Sequence, residues 1–132
     1  QKVGGEFLVN QFTSFNQRSP AVAALSGGGF VVVWVSEQER FTDAAGAPSV
    51  DIYGRLYTAG GAAVGGEFLI NTNANICANP SVAAAADGGF MVAWGERDPL
   101  IRTNSWDIFA RPFSSTGVGG TARRMNTFTF GD

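Results

Sequence analysis

The chain has 132 residues and 13.8 kDa, with 45% hydrophobic, 12% aromatic and only 15% charged side chains, so it can build a core and lacks the make-up of a disordered segment. Nine basic residues against eleven acidic ones give a net charge of −2, which leaves no electrostatic footprint for nucleic-acid binding. Histidine is absent and Cys77 is the sole cysteine, excluding Ser-His-Asp and Cys-His catalysis, His-ligated zinc, an internal disulfide and a CxxC pair.

In chain order, residues 6–10 are short and apolar and read as a first strand, followed by a polar loop to Pro20. Residues 21–25 form a second run, closed by Ser26-Gly27-Gly28. Residues 29–35, rich in Phe, Val and Trp, suit a packed pleated surface. Residues 51–58 alternate as a fourth strand, closed by Ala59-Gly60-Gly61. No segment keeps a helical apolar period for three turns, and no apolar run approaches the roughly 20 residues of a membrane span.

The same four blocks return about 60 residues on, a period typical of repeat architectures. Gly4-Gly5-Glu6-Phe7-Leu8-Val9-Asn10 becomes Gly65-Gly66-Glu67-Phe68-Leu69-Ile70-Asn71, and Ser19-Pro20-Ala21-Val22 becomes Asn79-Pro80-Ser81-Val82. Gly28-Gly29-Phe30 to Trp34 becomes Gly88-Gly89-Phe90 to Trp94, and Asp51-Ile52-Tyr53-Gly54-Arg55 becomes Asp107-Ile108-Phe109-Ala110-Arg111. A weaker third start runs from Gly119 to Asn126. The expected architecture is all-β: a single domain, 1–132, of two four-stranded antiparallel sheets resembling propeller blades, or alternatively a two-sheet β-sandwich. The repeats span 4–64 and 65–118, each a meander with its own first strand, and 119–130 adds an extra, ninth strand centred on 122–128. The strand carrying the repeated Trp is apolar on both faces in both copies, which predicts cover on both sides, while the Ala-rich neighbours (residues 21–24 and 83–86) suit closely stacked sheets.

These blocks resemble a tandem repeat of large secreted bacterial proteins of the haemolysin-type and adhesin class. The resemblance covers residues 4–113 and implies a secreted, extracellular protein with blade-like sheets. The calcium-binding nonapeptides that accompany such arrays are missing, so neither calcium nor any other metal or cofactor is implied. The chain opens at Gln1 without a leader-like segment, which reads as a mature form or a fragment.

A four-stranded meander sends alternate connections to opposite ends. Glycine-tight turns (residues 26–28, 87–88 and 60–66) fall at one end and the long polar loops (11–19, 36–50, 72–79 and 96–106) at the other. A ligand site is therefore expected at the long-loop end, built from Asn71, Asn73, Asn75, Asn79, Glu37, Arg40, Glu96, Arg97 and Trp106. Amides, carboxylates and guanidinium groups pair with sugar hydroxyls in fixed geometry, and Trp106 offers a platform for a sugar ring. The expected function is a secreted lectin with repeated, multivalent sites for glycans or glycoproteins; a structural spacer without a ligand is the alternative. Against the binding roles stand plainer ones: Trp34 and Trp94 as core, Asn10 and Asn71 as turn residues, Asp51 and Asp107 as partners of arginines or loop amides, Cys77 as an inert thiol. The carboxylates each have an equivalent in the other repeat, whereas an acid and a base need different environments, so no catalysis is expected. Two blades cannot close a ring and would leave apolar faces in water, which predicts a homo-oligomer.

Overall fold

A computed structural model describes residues 3–38, 46, 49–98 and 106–127. The chain is all-β, in two four-stranded antiparallel sheets. The first contains β1 (Gln17–Ala24), β2 (Phe30–Ser36), β3 (Asp51–Tyr57) and β4 (Ala63–Leu69); the second contains β5 (Ile76–Ala84), β6 (Phe90–Arg97), β7 (Asp107–Phe113) and β8 (Arg123–Arg124). Each sheet is a meander in sequence order.

The sheets are offset by one strand from the sequence repeat. Residues 6–10, expected to be a strand, lie outside both sheets, whereas their repeat, in β4, closes the first sheet by pairing with β3. The physical reason is the partner: β4 follows β3 through a tight turn and pairs with it, whereas among the described residues no strand edge pairs with residues 6–10. The third start likewise supplies the fourth strand of the second sheet, where Arg124 lies opposite Phe109 and Arg123 opposite Ala110. It is an eighth strand completing a sheet, in place of the expected ninth; residues 128–130 lie outside the described residues. Gly65 and Gly66, expected in a turn, belong to β4.

Local chemistry explains the repeated motifs. All four tight turns share one closure, seen where Leu25 N donates to Gly29 O (2.8 Å) and Gly28 N to Leu25 O (3.0 Å). Gly28 and Gly88 hold φ of 99° and 90°, which side-chain-bearing residues rarely adopt. The next glycine serves a different need: a Cβ on Gly29 or Gly89 would stand 2.3 or 2.2 Å from the carbonyl oxygen of Tyr57 or Phe113. In β1 and β5 the register shifts between Arg18 and Ala21 and between Ala78 and Ser81. Ser19 and Asn79 take positive φ there (54° and 52°), and Pro20 and Pro80 follow, where the bulge removes the demand for a ladder donor.

The core lies between the sheets. Val31, Val33, Ile52, Leu56 and Ile70 project from one face of the first sheet onto Cys77, Phe90, Val92, Trp94 and Phe113 of the second. Phe68 fills the gap, tilted against Phe90 and Phe113. Gly54 leaves room for it, since a Cβ there would meet the Phe68 ring at 3.1 Å.

The expected cover on both faces holds for β2, where Val31, Val33, Trp34 and Val35 are all buried. In β6, Phe90, Val92 and Trp94 are buried against the first sheet, while Met91, on the face expected to be covered by another chain, is 43% exposed within this one. Among the described residues the second sheet packs through one face only, and the outer face of the first is covered by the N-terminal segment. There Phe7 packs on Tyr57, and Val9 O accepts from Arg55 Nη1 and Tyr57 Oη, each at 3.0 Å.

Candidate functional site

The meander places residues 11–16, 37–38, 49–50, 70–75, 98 and 106 at one end and the glycine turns at the other, as the loop lengths predict. The strand ends deliver an array of amides and carboxylates there, and its members bond chiefly to one another.

Asn71, at the exit of β4, is fully buried. Its Oδ1 accepts from Ile52 N (2.8 Å), and its Nδ2 donates to Asp51 Oδ1 (2.8 Å) and to Asn73 O (3.1 Å). Ser49 Oγ donates to the other oxygen of Asp51, Oδ2, at 2.8 Å. The second sheet repeats the clamp: Asn126 Oδ1 accepts from Ile108 N and Asn126 Nδ2 donates to Asp107 Oδ1, both at 2.8 Å. Each clamp ties the fourth strand's exit to the third strand's start, satisfying a backbone N–H and a buried carboxylate together. Asp51 and Asp107 thus pair with loop amides, one of the plainer roles the sequence offered.

Glu96 is the centre of a second cluster and is buried. Its Oε1 accepts from Asn73 Nδ2 and from Asn75 Nδ2 (2.9 Å), and its Oε2 from Trp94 Nε1 (2.9 Å) and, more weakly, Cys77 Sγ (3.9 Å). Asn75 N in turn donates to Asn73 Oδ1 at 3.1 Å, holding the loop in a turn. The first sheet solves the same problem differently. Ser36 occupies the position of Glu96 and is too short to reach the indole, so Trp34 Nε1 donates across the pair to Gln17 Oε1 at 3.0 Å. Gln17 occupies the position of Cys77. Gln–Ser and Cys–Glu are therefore two ways of placing one acceptor against the same buried tryptophan.

The remaining expected site residues are spread out. Glu37 accepts from Arg18 Nε and Asn16 Nδ2, both at 2.9 Å. These bonds, Arg18's first, hold its carboxyl below the ordinary value of 4.5. Asn79 is exposed at the β5 bulge, where its side chain type suits the positive φ. Arg97 is exposed at the end of β6, opposite Ile76. Trp106 is 46% exposed and lies over Gly95, whose missing Cβ gives it space. Arg40 lies outside the described residues.

So Asn71, Asn73, Asn75 and Glu96 come together, while Glu37, Asn79, Arg97 and Trp106 stand apart from them. Sequence reasoning missed Asn126, Gln17, Ser49 and Asn16 as members of these networks. The repeat itself was the available signal for Asn126, which ends the third start as Asn71 ends the second.

A cleft of about 170 Å³ opens between the N-terminal segment and the first sheet, lined by Val9, Asn10, Gln17, Arg18, Pro20, Val32 and Trp34. Among the described residues no group of three or more His, Cys, Asp or Glu side chains could hold a metal ion. Searches with family models, among curated proteins and among solved structures find no match to this chain.

Proposed function

We propose that the chain is a non-catalytic structural repeat module, a spacer of the secreted adhesin type, whose sheets stack face to face with further sheets of their own kind. The observation that carries this reading is the use made of the polar residues at the long-loop end. Asn71, Asn73, Asn75 and Glu96, the densest group of candidate sugar ligands, spend their donors and acceptors on Asp51, on Trp94, on backbone and on each other. Opening them to a glycan would forfeit bonds to buried groups, at about 1–3 kcal/mol for each group left unsatisfied. The sheet faces supply what such a module needs. Met91, Ile108 and Met125 project, partly exposed, from the outer face of the second sheet, at the positions that Val31, Ile52 and Ile70 fill in the buried interface.

Two copies joined in tandem test this reading. Burial of the facing sheets should raise Tm by several degrees over the single chain, a shift on the scale that about 1 kcal/mol or more gives a chain of this size. A tandem protein that melts with the single chain would remove the stacking reading.

A second reading, a lectin for glycans or glycoproteins, is favoured by the cleft beside Trp34. Asn10, Gln17 and Arg18 line it together with the apolar Val9, Pro20 and Val32, a mixture suited to a sugar ring. A glycan array separates the two readings: reproducible binding that Arg18→Ala abolishes supports the lectin, and silence across diverse glycans supports the spacer.

A further inference from the structure

Residues 4–10 already occupy the place of a fourth strand, outside both sheets of the described residues. They repeat the sequence of residues 65–71, and they lie on the first sheet as those residues lie on the second. Arg111 Nη1 donates to Ile70 O at 2.9 Å, and Arg55 Nη1 donates to Val9 O, the equivalent carbonyl, at 3.0 Å. Phe68 sits on Phe113 with centroids 5.8 Å apart and a 44° tilt; Phe7 sits on Tyr57 at 5.4 Å and 45°. The Asn that ends the segment repeats part of the clamp. Asn10 Nδ2 donates to Phe12 O at 2.8 Å, as Asn71 Nδ2 donates to Asn73 O. The aspartates that such an Asn engages, Asp51 and Asp107, are held by Asn71 and Asn126. Phe7 and Leu8 remain 52% and 67% exposed.

The matching acceptor is on the other side of the molecule. Strand β8 is two residues long, and it sets Arg123 at the register position where β4 sets Phe68. Beside it lies a shallow, mostly apolar hollow of about 270 Å³ lined by Met91, Ala110, Pro112, Thr121, Arg123 and Met125.

From these two halves we infer that residues 4–10 act as a donor strand for a second copy of this chain. In that copy they displace residues 119–126 from the edge of β7, with Leu8 opposite Phe109 and Phe7 opposite Ala110. Asn10 then clamps the second copy's Asp107, and Phe7 supplies the aromatic ring that Arg123 withholds. The donor keeps its contacts with its own Arg55 and Tyr57, so the outer face of the first sheet docks on the outer face of the second copy's second sheet. This continues the interface that already joins the two sheets within one chain, which is why a second copy is the occupant. The contact is heterologous, closing into a ring or propagating as a filament, and its affinity comes from main-chain pairing of the kind seen in strand addition. The inference rests on the stacking reading above and adds to it the strand and the register.

Light scattering across micromolar concentrations tests it with three samples: the chain, its Leu8→Pro variant, and the chain with an excess of a synthetic peptide of residues 3–12. Proline removes a ladder donor from a segment that belongs to neither sheet, so the monomer fold, followed by circular dichroism, should be unchanged. The expected result is a multiple of 13.8 kDa for the chain. Leu8→Pro should weaken assembly at least tenfold, and the peptide should return the chain to monomer mass. A monomer throughout the range, or an oligomer indifferent to both Leu8→Pro and peptide, overturns the donor-strand proposal. If the tandem protein is nevertheless stabilised, the stacking reading survives without it, with Arg123 and Arg124 then acting as a polar cap.

Discussion

The first sheet and the second are written in nearly the same residues, yet they differ in what lies on their outer faces. The first has a sheet on one face and the N-terminal segment on the other, and its β2 is buried on both. Among the described residues the second has a sheet on one face only, and its sequence departs from the repeat on the other side. Val31 becomes Met91, Gly54 becomes Ala110, and Phe68 becomes Arg123. The positions on the opposite face, which meets the N-terminal segment in the first sheet and the first sheet in the second, keep their type: Phe30 and Phe90, Val32 and Val92, Trp34 and Trp94, Arg55 and Arg111. Identity of type therefore follows cover, and the polar clusters follow the same rule. The clamp between the sheets, at Asn71, is fully buried, whereas its repeat at Asn126 sits half-exposed at the rim.

The largest effect should come from the cluster around Glu96. Glu96→Ala strands the Trp94 indole N–H and both Asn amides, and should cost about 3 kcal/mol in denaturant unfolding. Glu96→Ser should cost nearly as much, but Cys77→Gln with Glu96→Ser installs the first sheet's solution and should recover about 1 kcal/mol or more. A double variant no better than the single would show that the two tryptophan environments are not interchangeable.

The two clamps should differ next. Asn71→Ala, which opens a buried backbone N–H and a buried carboxylate, should cost about 2 kcal/mol, and Asn126→Ala, at the rim, below about 1 kcal/mol. Equal losses would mean that burial does not set the strength of the clamp.

The outer faces provide a smaller contrast. Met91→Lys should leave the monomer's stability within about 0.5 kcal/mol, because the side chain is partly exposed. Val33→Lys, at a fully buried position, should prevent folding.

The smallest effect is electrostatic and confined to the first sheet. Glu37 is held below its ordinary value of 4.5, first by Arg18 and then by Asn16. A depressed folded value means a contribution that is complete above the unfolded value and lost as pH falls through the folded one. Glu37→Gln should therefore flatten the acid limb of stability below about pH 4.5, by less than about 1 kcal/mol because the pair is exposed to solvent.

The all-β fold, the tight turns and the long-loop end were legible because Gly28-Gly29-Phe30 and its repeat announce φ and close approach directly. The offset of the sheets was not, because residues 6–10 and 65–71 are nearly identical and, among the described residues, only the second of them pairs with a strand. Asn71, Asn73, Asn75 and Glu96 were legible as neighbours but not as each other's partners. Composition gives the hydrogen-bonding capacity of a loop, and burial decides whether that capacity turns inward. Gln17 and Cys77 show the limit most clearly. Their exchange makes sense only together with Ser36 and Glu96 on the adjacent strand, a pairing that register reveals.

The amides at the long-loop end act as clamps within the fold. A double-mutant cycle on Asn71→Ala and Asp51→Ala, read by urea unfolding, tests this most directly. A coupling energy of about 1 kcal/mol or more is expected between the two positions, and additive losses with no coupling would rule the clamp out.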